Sequence, residues 1–376
     1  VFAPLWTLFA SICALPYLLL WLLVWIVASL FQPFLVLSAI AFVSQPAAAV
    51  RKVQLFLDTV TYLAFCSEKK WKKTADPSTV FEQYKGKAEI DKKTIVFLRH
   101  GESSWNDTFN KGDRKTMKFV QGFFPGLAKA FFTEWYFAVS GKANESWFYD
   151  APLSDKGRRQ AEGVQTYLQS NTEYMLPKEQ EYLAIVKGAL DKKGSAVNSQ
   201  LVSSPLRRAS ATMAVGLQDR FAKALPGDKM VLLPSLQEIS FNPDALCITK
   251  PYGKIQPAWV DPPVVAGIYE KQTDSRLYSG NKPVNGKGID RIQTFCCQAF
   301  TEFADKDAII ADGHSLWFRS FYQTFLPHAS THISKKKKLI NGGLVGFSLQ
   351  RLKHPETGGY HYMIDPTSIT VLHGGF

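Results

Sequence analysis

The chain has 376 residues, 46% hydrophobic and 20% charged, a balance that supports a packed core and excludes global disorder. Its formal net charge is +12, which favours acidic partners such as phosphorylated substrates or anionic lipid. No basic helix interleaved with aromatics and no nucleic-acid motif occurs, so nucleic acid is set aside as a partner. Cys13, Cys66, Cys247, Cys296 and Cys297 form no CxxC pair, and adjacent Cys296 and Cys297 have poor geometry for a bridge. Neither a disulfide framework nor a structural zinc site is expected.

In chain order, residues 1–50 contain no Asp, Glu, Lys or Arg. Leu5 to Phe31 is almost wholly apolar and longer than the ~20 residues that cross a bilayer, so it is predicted to be a tilted transmembrane helix. Gln32-Pro33 interrupts it, and Phe34 to Val43 follows as a shorter apolar stretch. Residues 5–43 are therefore expected to meet the lipid bilayer, within an anchor over 1–50. Arg51 and Lys52 follow at once, then Lys69, Lys70, Lys72 and Lys73. The positive-inside rule puts the remainder of a single-pass chain on the cytosol, matrix or stroma side, of an organelle membrane among others. Residues 51–93 read as an amphipathic and charged linker.

From Thr94 onward, short β-branched runs alternate with helical patterns. Strands are expected at Thr94–Leu98, Gln200–Ser203, Met230–Leu236, Ala308–Ala311, Leu344–Leu352 and His361–Leu372. Helices are expected at Ser154–Gln169 with Ser154 as N-cap, Leu206–Phe221, Ile289–Phe303 and Ser315–Leu326. The alternation predicts an α/β domain over 94–376, with a mostly parallel sheet sandwiched by helices and ligands bound at the carboxyl ends of its strands. Insertions at 107–148, rich in aromatics, and at 242–287, rich in Pro and Gly, break this rhythm and suit lids or partner surfaces.

The chemistry concentrates at Arg99-His100-Gly101-Glu102-Ser103-Ser104-Trp105-Asn106. A histidine at a strand end can attack phosphorus as a neutral imidazole, and an adjacent arginine offers planar paired donors to phosphate oxygens. The stretch resembles the RHGE motif of the histidine phosphatase superfamily, with Asn106 resembling its phosphoglycerate mutase-like branch. Four further segments match in order. Asp150-Ala151-Pro152-Leu153-Ser154, with Gly157 and Gln160-Ala161, resembles the opening of the family's first major helix. Ser204-Pro205-Leu206-Arg207-Arg208-Ala209 resembles the segment of the second phosphate-binding arginine, which falls on Arg208. Leu236-Gln237-Glu238 resembles the proton-donor segment and Gly313-His314-Ser315 that of the second histidine. The resemblance covers roughly residues 94–375 without the two insertions.

It implies a two-step displacement: His100 attacks and becomes phosphohistidine, Glu238 supplies the proton to the leaving oxygen, and Arg99, Arg208, His314 and Asn106 hold the phosphoryl group. No metal and no cofactor is implied. Ser315 stands where the family has glycine, a departure that bears on the backbone donors near the phosphate. The insertion after Asn106 interrupts the region where mutases bind substrate, so the resemblance favours a phosphomonoesterase over a mutase. The alternative is an accessory subunit of a larger membrane complex with a phosphatase-like fold and weak or no activity.

Overall fold

The computed structural model describes residues 17–376 except 19, 23, 26–28, 30, 31, 33, 34, 113, 171–173 and 191–197. The chain forms two compact units, one of residues 1–56 with 129–145, the other of 57–128 with 146–376. The span expected over Leu5 to Phe31 lies largely outside the described residues. Among the described residues, no helix is long and apolar enough to cross a membrane. In the first unit, residues 35–44 are helical, and Leu37 O accepts the Trp135 indole N–H at 2.9 Å. Lys52 pairs with Glu134 at 2.6 Å. Helix α1 (Pro46–Phe65) and the long helix α4 (Thr116–Val139) each begin in one unit and end in the other.

The second unit is built on an eight-stranded sheet of order β4-β3-β2-β5-β1-β6-β7, with β8 also paired to β6. Its strands are β1 (Ile90–Arg99), β2 (Ser199–Ser203), β3 (Met230–Leu232), β4 (Thr273–Asp274), β5 (Ala308–Gly313), β6 (Leu344–Lys353), β7 (Tyr360–Ile364) and β8 (Thr370–His373). The stretch from β4 to β1 is parallel, whereas β6 runs antiparallel to β1, β7 and β8. Five of the eight strands are thus parallel, as expected, and an antiparallel edge of three makes the sheet mixed. The expected strand His361–Leu372 is broken by Pro366, which cannot donate to a ladder, and its two halves separately pair with β6.

Alternation along the strands sends side chains to two cores. Val96, Leu98, Leu201, Leu232 and Ile310 pack with α5 (Asp155–Gln169), α6 (Pro177–Val186), α7 (Arg207–Gly216), α8 (Gln218–Ala222) and α9 (Pro263–Gln272). Ile95, Phe97, Val202, Ile309 and Ala311 pack with α10 (Gly288–Phe300) and α11 (Ser315–Phe325). Phe97 stacks on Phe318 with centroids 4.1 Å apart. Ser154 does cap α5, its hydroxyl accepting Gly157 N–H at 3.1 Å. The helix expected through Phe221 breaks after Gly216, where Leu217 leaves helical geometry. Arg220 then turns inward to the Asp228 carboxylate at 2.8 Å. The strand expected through Leu236 stops at Leu232, because Pro234 opens a 3-10 turn.

β1 starts at Ile90, inside the stretch read as linker. That stretch also holds α2 (Pro77–Gln83), capped by Asp76. Its Glu68 is fully buried and ion-paired to Arg291, so part of the expected linker belongs to the second unit's interior.

Candidate active site

The site follows from one strand register. β1 and β5 are parallel neighbours, and Arg99 lies opposite Gly313. The residues that leave the two strand ends, His100 and His314, therefore emerge side by side. His100 N donates to Gly313 O at 3.1 Å, and the two imidazole centroids are 4.8 Å apart. This is the carboxyl end of the parallel part of the sheet, where open α/β sheets bind ligands.

The loop after β1 crosses the start of α5 very closely. A Cβ on Gly101 would sit 2.3 Å from Gly157 O, and one on Gly157 would sit 1.9 Å from Glu102 O. Both glycines are required by this backbone crossing. Thr212 on α7 adds a clamp, accepting Gly101 N–H at 3.0 Å while donating to Arg208 O at 2.8 Å. His100 Nδ1 lies 2.5 Å from Gly101 O. A carbonyl only accepts, so this contact assigns the proton to Nδ1 and leaves Nε2 as the lone-pair end.

His314 is oriented from its other nitrogen. Its Nε2 is 2.9 Å from Ser204 Oγ, which also accepts Leu206 N–H at 3.4 Å. A serine proton given to Nε2 would leave the hydrogen on His314 Nδ1, which is buried with no partner among the described residues. Burial pushes both imidazoles well below their ordinary pKa, with the Arg208 charge the next contributor in each case. Both rings are neutral at physiological pH.

The guanidinium groups are braced by carbonyls. Arg99 donates to Leu339 O at 2.5 Å, and burial draws it down to about 10, still cationic at neutral pH. Arg208 donates to Asp244 O at 2.6 Å and lies 3.5 Å from the Asp244 carboxylate. The Nε of each arginine is buried without a partner among the described residues. Arg207, beside it, is tied elsewhere, to the Asp150 carbonyl at 3.1 Å. Asp150 sits in a left-handed conformation (φ 52°), and its carboxylate caps α7 by accepting Arg207 N–H at 2.9 Å. That tertiary cap replaces the one Leu206 lacks and fixes the turn that presents Arg208.

Glu238 follows the 3-10 turn after β3. Its Oε1 accepts Ile239 N–H at 2.9 Å and Trp317 N–H at 3.2 Å. Trp317 is the third residue of α11, whose N-cap is His314. The carboxylate thus sits at a helix N-terminus one turn from the second histidine. Ser315 is buried as the first residue of this helix.

The structure therefore brings together Arg99, His100, Arg208, Glu238 and His314. Among the described residues no hydrogen bond joins Asn106 to them; its side-chain amide oxygen accepts Asn110 Nδ2 at 2.6 Å along α3 (Ser104–Phe109). Sequence reasoning gave no role to Ser204, although it lies in the segment carrying Arg208. It missed Asp244, which sits in an insertion with no pattern to single it out.

Asp312, two residues before His314, is fully buried, and neither carboxyl oxygen has a well-formed hydrogen bond. Burial raises its pKa well above the carboxylate range, and the nearby Gly313 and Met213 amides offset only part of that rise. A raised carboxyl binds more protons folded than unfolded, so it contributes stability at low pH that is lost as pH climbs past the unfolded value of about 3.8, by about 1.4 kcal/mol per pH unit. Asp312→Asn is expected to raise Tm at pH 7 and to have little effect near pH 4, as thermal unfolding across that range would show.

No family model matches the chain, and no curated protein matches it. Among solved structures, it is similar to an ecdysone phosphate phosphatase from Bombix mori in complex with tungstate, at 15% identity over 68% of this chain and 88% of that one, TM-score 0.34. It is similar to a mycobacterial glucosyl-3-phosphoglycerate phosphatase bound to VO3, at 17% identity over 73% and 97%, TM-score 0.32. It is also similar to a phosphoserine phosphatase from Entamoeba histolytica in complex with phosphoserine, at 15% identity over 74% and 96%, TM-score 0.30.

Proposed function

We propose that the chain is a phosphomonoesterase working through a phosphohistidine on His100. The observation that carries this reading is the pair of buried imidazoles, 4.8 Å apart, with His314 Nδ1 and the Nε of Arg99 and Arg208 left without partners among the described residues. Buried donors without partners are costly, and the oxygens of a phosphoryl group would satisfy all of them.

In the first step His100 Nε2 attacks phosphorus. The bond to the leaving oxygen breaks, and that oxygen takes a proton held on Glu238 Oε2, the carboxyl oxygen left free by the Ile239 and Trp317 amides. In the second step a water gives a proton to the Glu238 carboxylate and attacks phosphorus, and the P–N bond breaks to release inorganic phosphate and neutral His100. Arg99, Arg208 and His314 Nδ1 would hold the equatorial oxygens throughout. Turnover of an aryl phosphate by the full chain, unaffected by chelator, tests the reading; background-level rates from folded protein would sink it.

The same reading places residues 5–43 in a bilayer, supported by the charge-free first fifty residues. It is further supported by exposed apolar side chains on α1 at helical spacing, among them Val50, Val53, Phe56, Leu57, Val60 and Leu63. A second reading, an accessory subunit of a membrane complex, is favoured by α4, which exposes Met117, Val120, Phe124, Phe131, Phe132 and Tyr136.

A further inference from the structure

Behind Glu238 lies a cluster of buried charge that the chemistry above does not use. Glu68 is 0% exposed, Lys282 3% and Arg291 8%. Glu68 takes a bidentate ion pair from Arg291, at 2.6 and 2.8 Å, and lies 3.7 Å from the Lys282 ammonium. Both cations also reach the backbone of the proton-donor segment. Lys282 donates to Glu238 O at 2.5 Å, and Arg291 donates to Gln237 O at 3.1 Å.

The segment before Glu68 grips the next residue pair. Tyr62, fully buried in the last turns of α1, donates its hydroxyl to Ser240 O and lies under the Lys282 ammonium, 5.1 Å from the ring centre. Gly288 makes room for all of this. Its N–H donates to Glu68 O at 2.9 Å, and a Cβ there would meet Ile239 Cδ1 at 2.7 Å. Residues 237–240 are therefore held from behind by Tyr62, Glu68, Lys282 and Arg291, while Glu238 Oε1 is held in front by α11.

Stability does not explain this arrangement. Buried ion pairs are commonly matched or bettered by apolar residues of the same volume. What such a network does supply is fixed geometry at the oxygens it binds. We propose that Glu68 is a positioning residue for Glu238, acting through Arg291 and Lys282, so that the segment 62–68 ahead of the α/β sheet completes the proton-donor site. This deepens the phosphatase reading and rests on it for its kinetic consequence.

The test separates protonation of the leaving group from general damage. Full-length Glu68→Gln, Lys282→Met and Tyr62→Phe are compared with the parent on glycerol phosphate, whose alkoxide must be protonated to leave, and on 2,4-dinitrophenyl phosphate, whose leaving group departs unaided. Tyr62→Phe is the milder change, retained should the charge variants fold poorly. Since a placed general acid contributes about 10²–10⁴-fold, kcat/KM on glycerol phosphate, which reports the first phosphoryl transfer alone, is expected to fall about tenfold or more in Glu68→Gln and Lys282→Met, with kcat/KM on dinitrophenyl phosphate changed less than about threefold. Amide hydrogen exchange over residues 237–240 is expected to speed up in the same variants. Equal loss of kcat/KM on both substrates, or unchanged exchange, overturns the proposal. A parent protein that hydrolyses neither substrate sinks the phosphatase reading instead, and the exchange measurement alone then decides the coupling.

Discussion

His100→Ala is expected to reduce turnover of any accepted phosphomonoester by about 10⁴-fold or more, equivalent to about 5.5 kcal/mol of lost transition-state stabilisation. The size follows from its proposed role: no neighbouring side chain can replace a nucleophile that forms a covalent intermediate. His314 lies closest in kind, but its Nε2 is engaged by Ser204. The variant should stay folded, because His100 is held as a neutral ring and its removal leaves no buried charge behind. The check is a steady-state rate beside a thermal melt. Loss of rate with a melt near the parent's assigns the effect to chemistry.

Arg208 carries the second large effect, and two substitutions separate its two duties. Arg208→Lys keeps a cation opposite Asp244 but loses the planar fork, and kcat/KM is expected to fall about 10²–10³-fold with modest loss of stability. Arg208→Ala removes the counter-charge as well. Burial raises the Asp244 carboxyl to about 6 even though the arginine beside it pulls the other way. Without the arginine that value climbs. The sign follows from proton binding: a carboxyl raised in the folded state loses stability as pH rises, and the window now extends above pH 6. The stability deficit of Arg208→Ala relative to the parent is therefore expected to widen between pH 6 and pH 8, by up to about 1.4 kcal/mol per unit. Denaturant melts at a series of pH values measure this. A deficit independent of pH would mean that Asp244 does not depend on Arg208.

Much of this site could be read from the chain because its chemistry is local to strand ends. Arg99-His100-Gly101 and Gly313-His314 each follow an apolar run, and a parallel register then sets the two histidines abreast. Of the two adjacent arginines, Arg207 is drawn to Asp150 and Arg208 to Asp244. What could not be read is what long-range contacts decide. Asp244 braces Arg208 from a loop with no periodicity. Glu68 lies in a run of charged residues that looks like a solvated linker, and only the tertiary fold shows it buried against Arg291. The antiparallel edge escaped for a different reason. β6, β7 and β8 carry the same β-branched and aromatic signal in either direction, and pattern alone does not reveal orientation. Asn106 stands one helical turn from Asn110, whose Nδ2 its side-chain oxygen accepts, a contact within the helix that the motif does not announce.

Whether His100 is the nucleophile is decided by trapping the intermediate. Full-length protein is mixed with excess aryl phosphate, quenched in alkali within the first turnovers, digested and examined by mass spectrometry. The expected outcome is a phosphoryl group on the His100 peptide that survives base, is lost in mild acid and is absent from His100→Ala. Turnover without any phosphate on His100, or with the label on another residue, would rule out a phosphohistidine at this position.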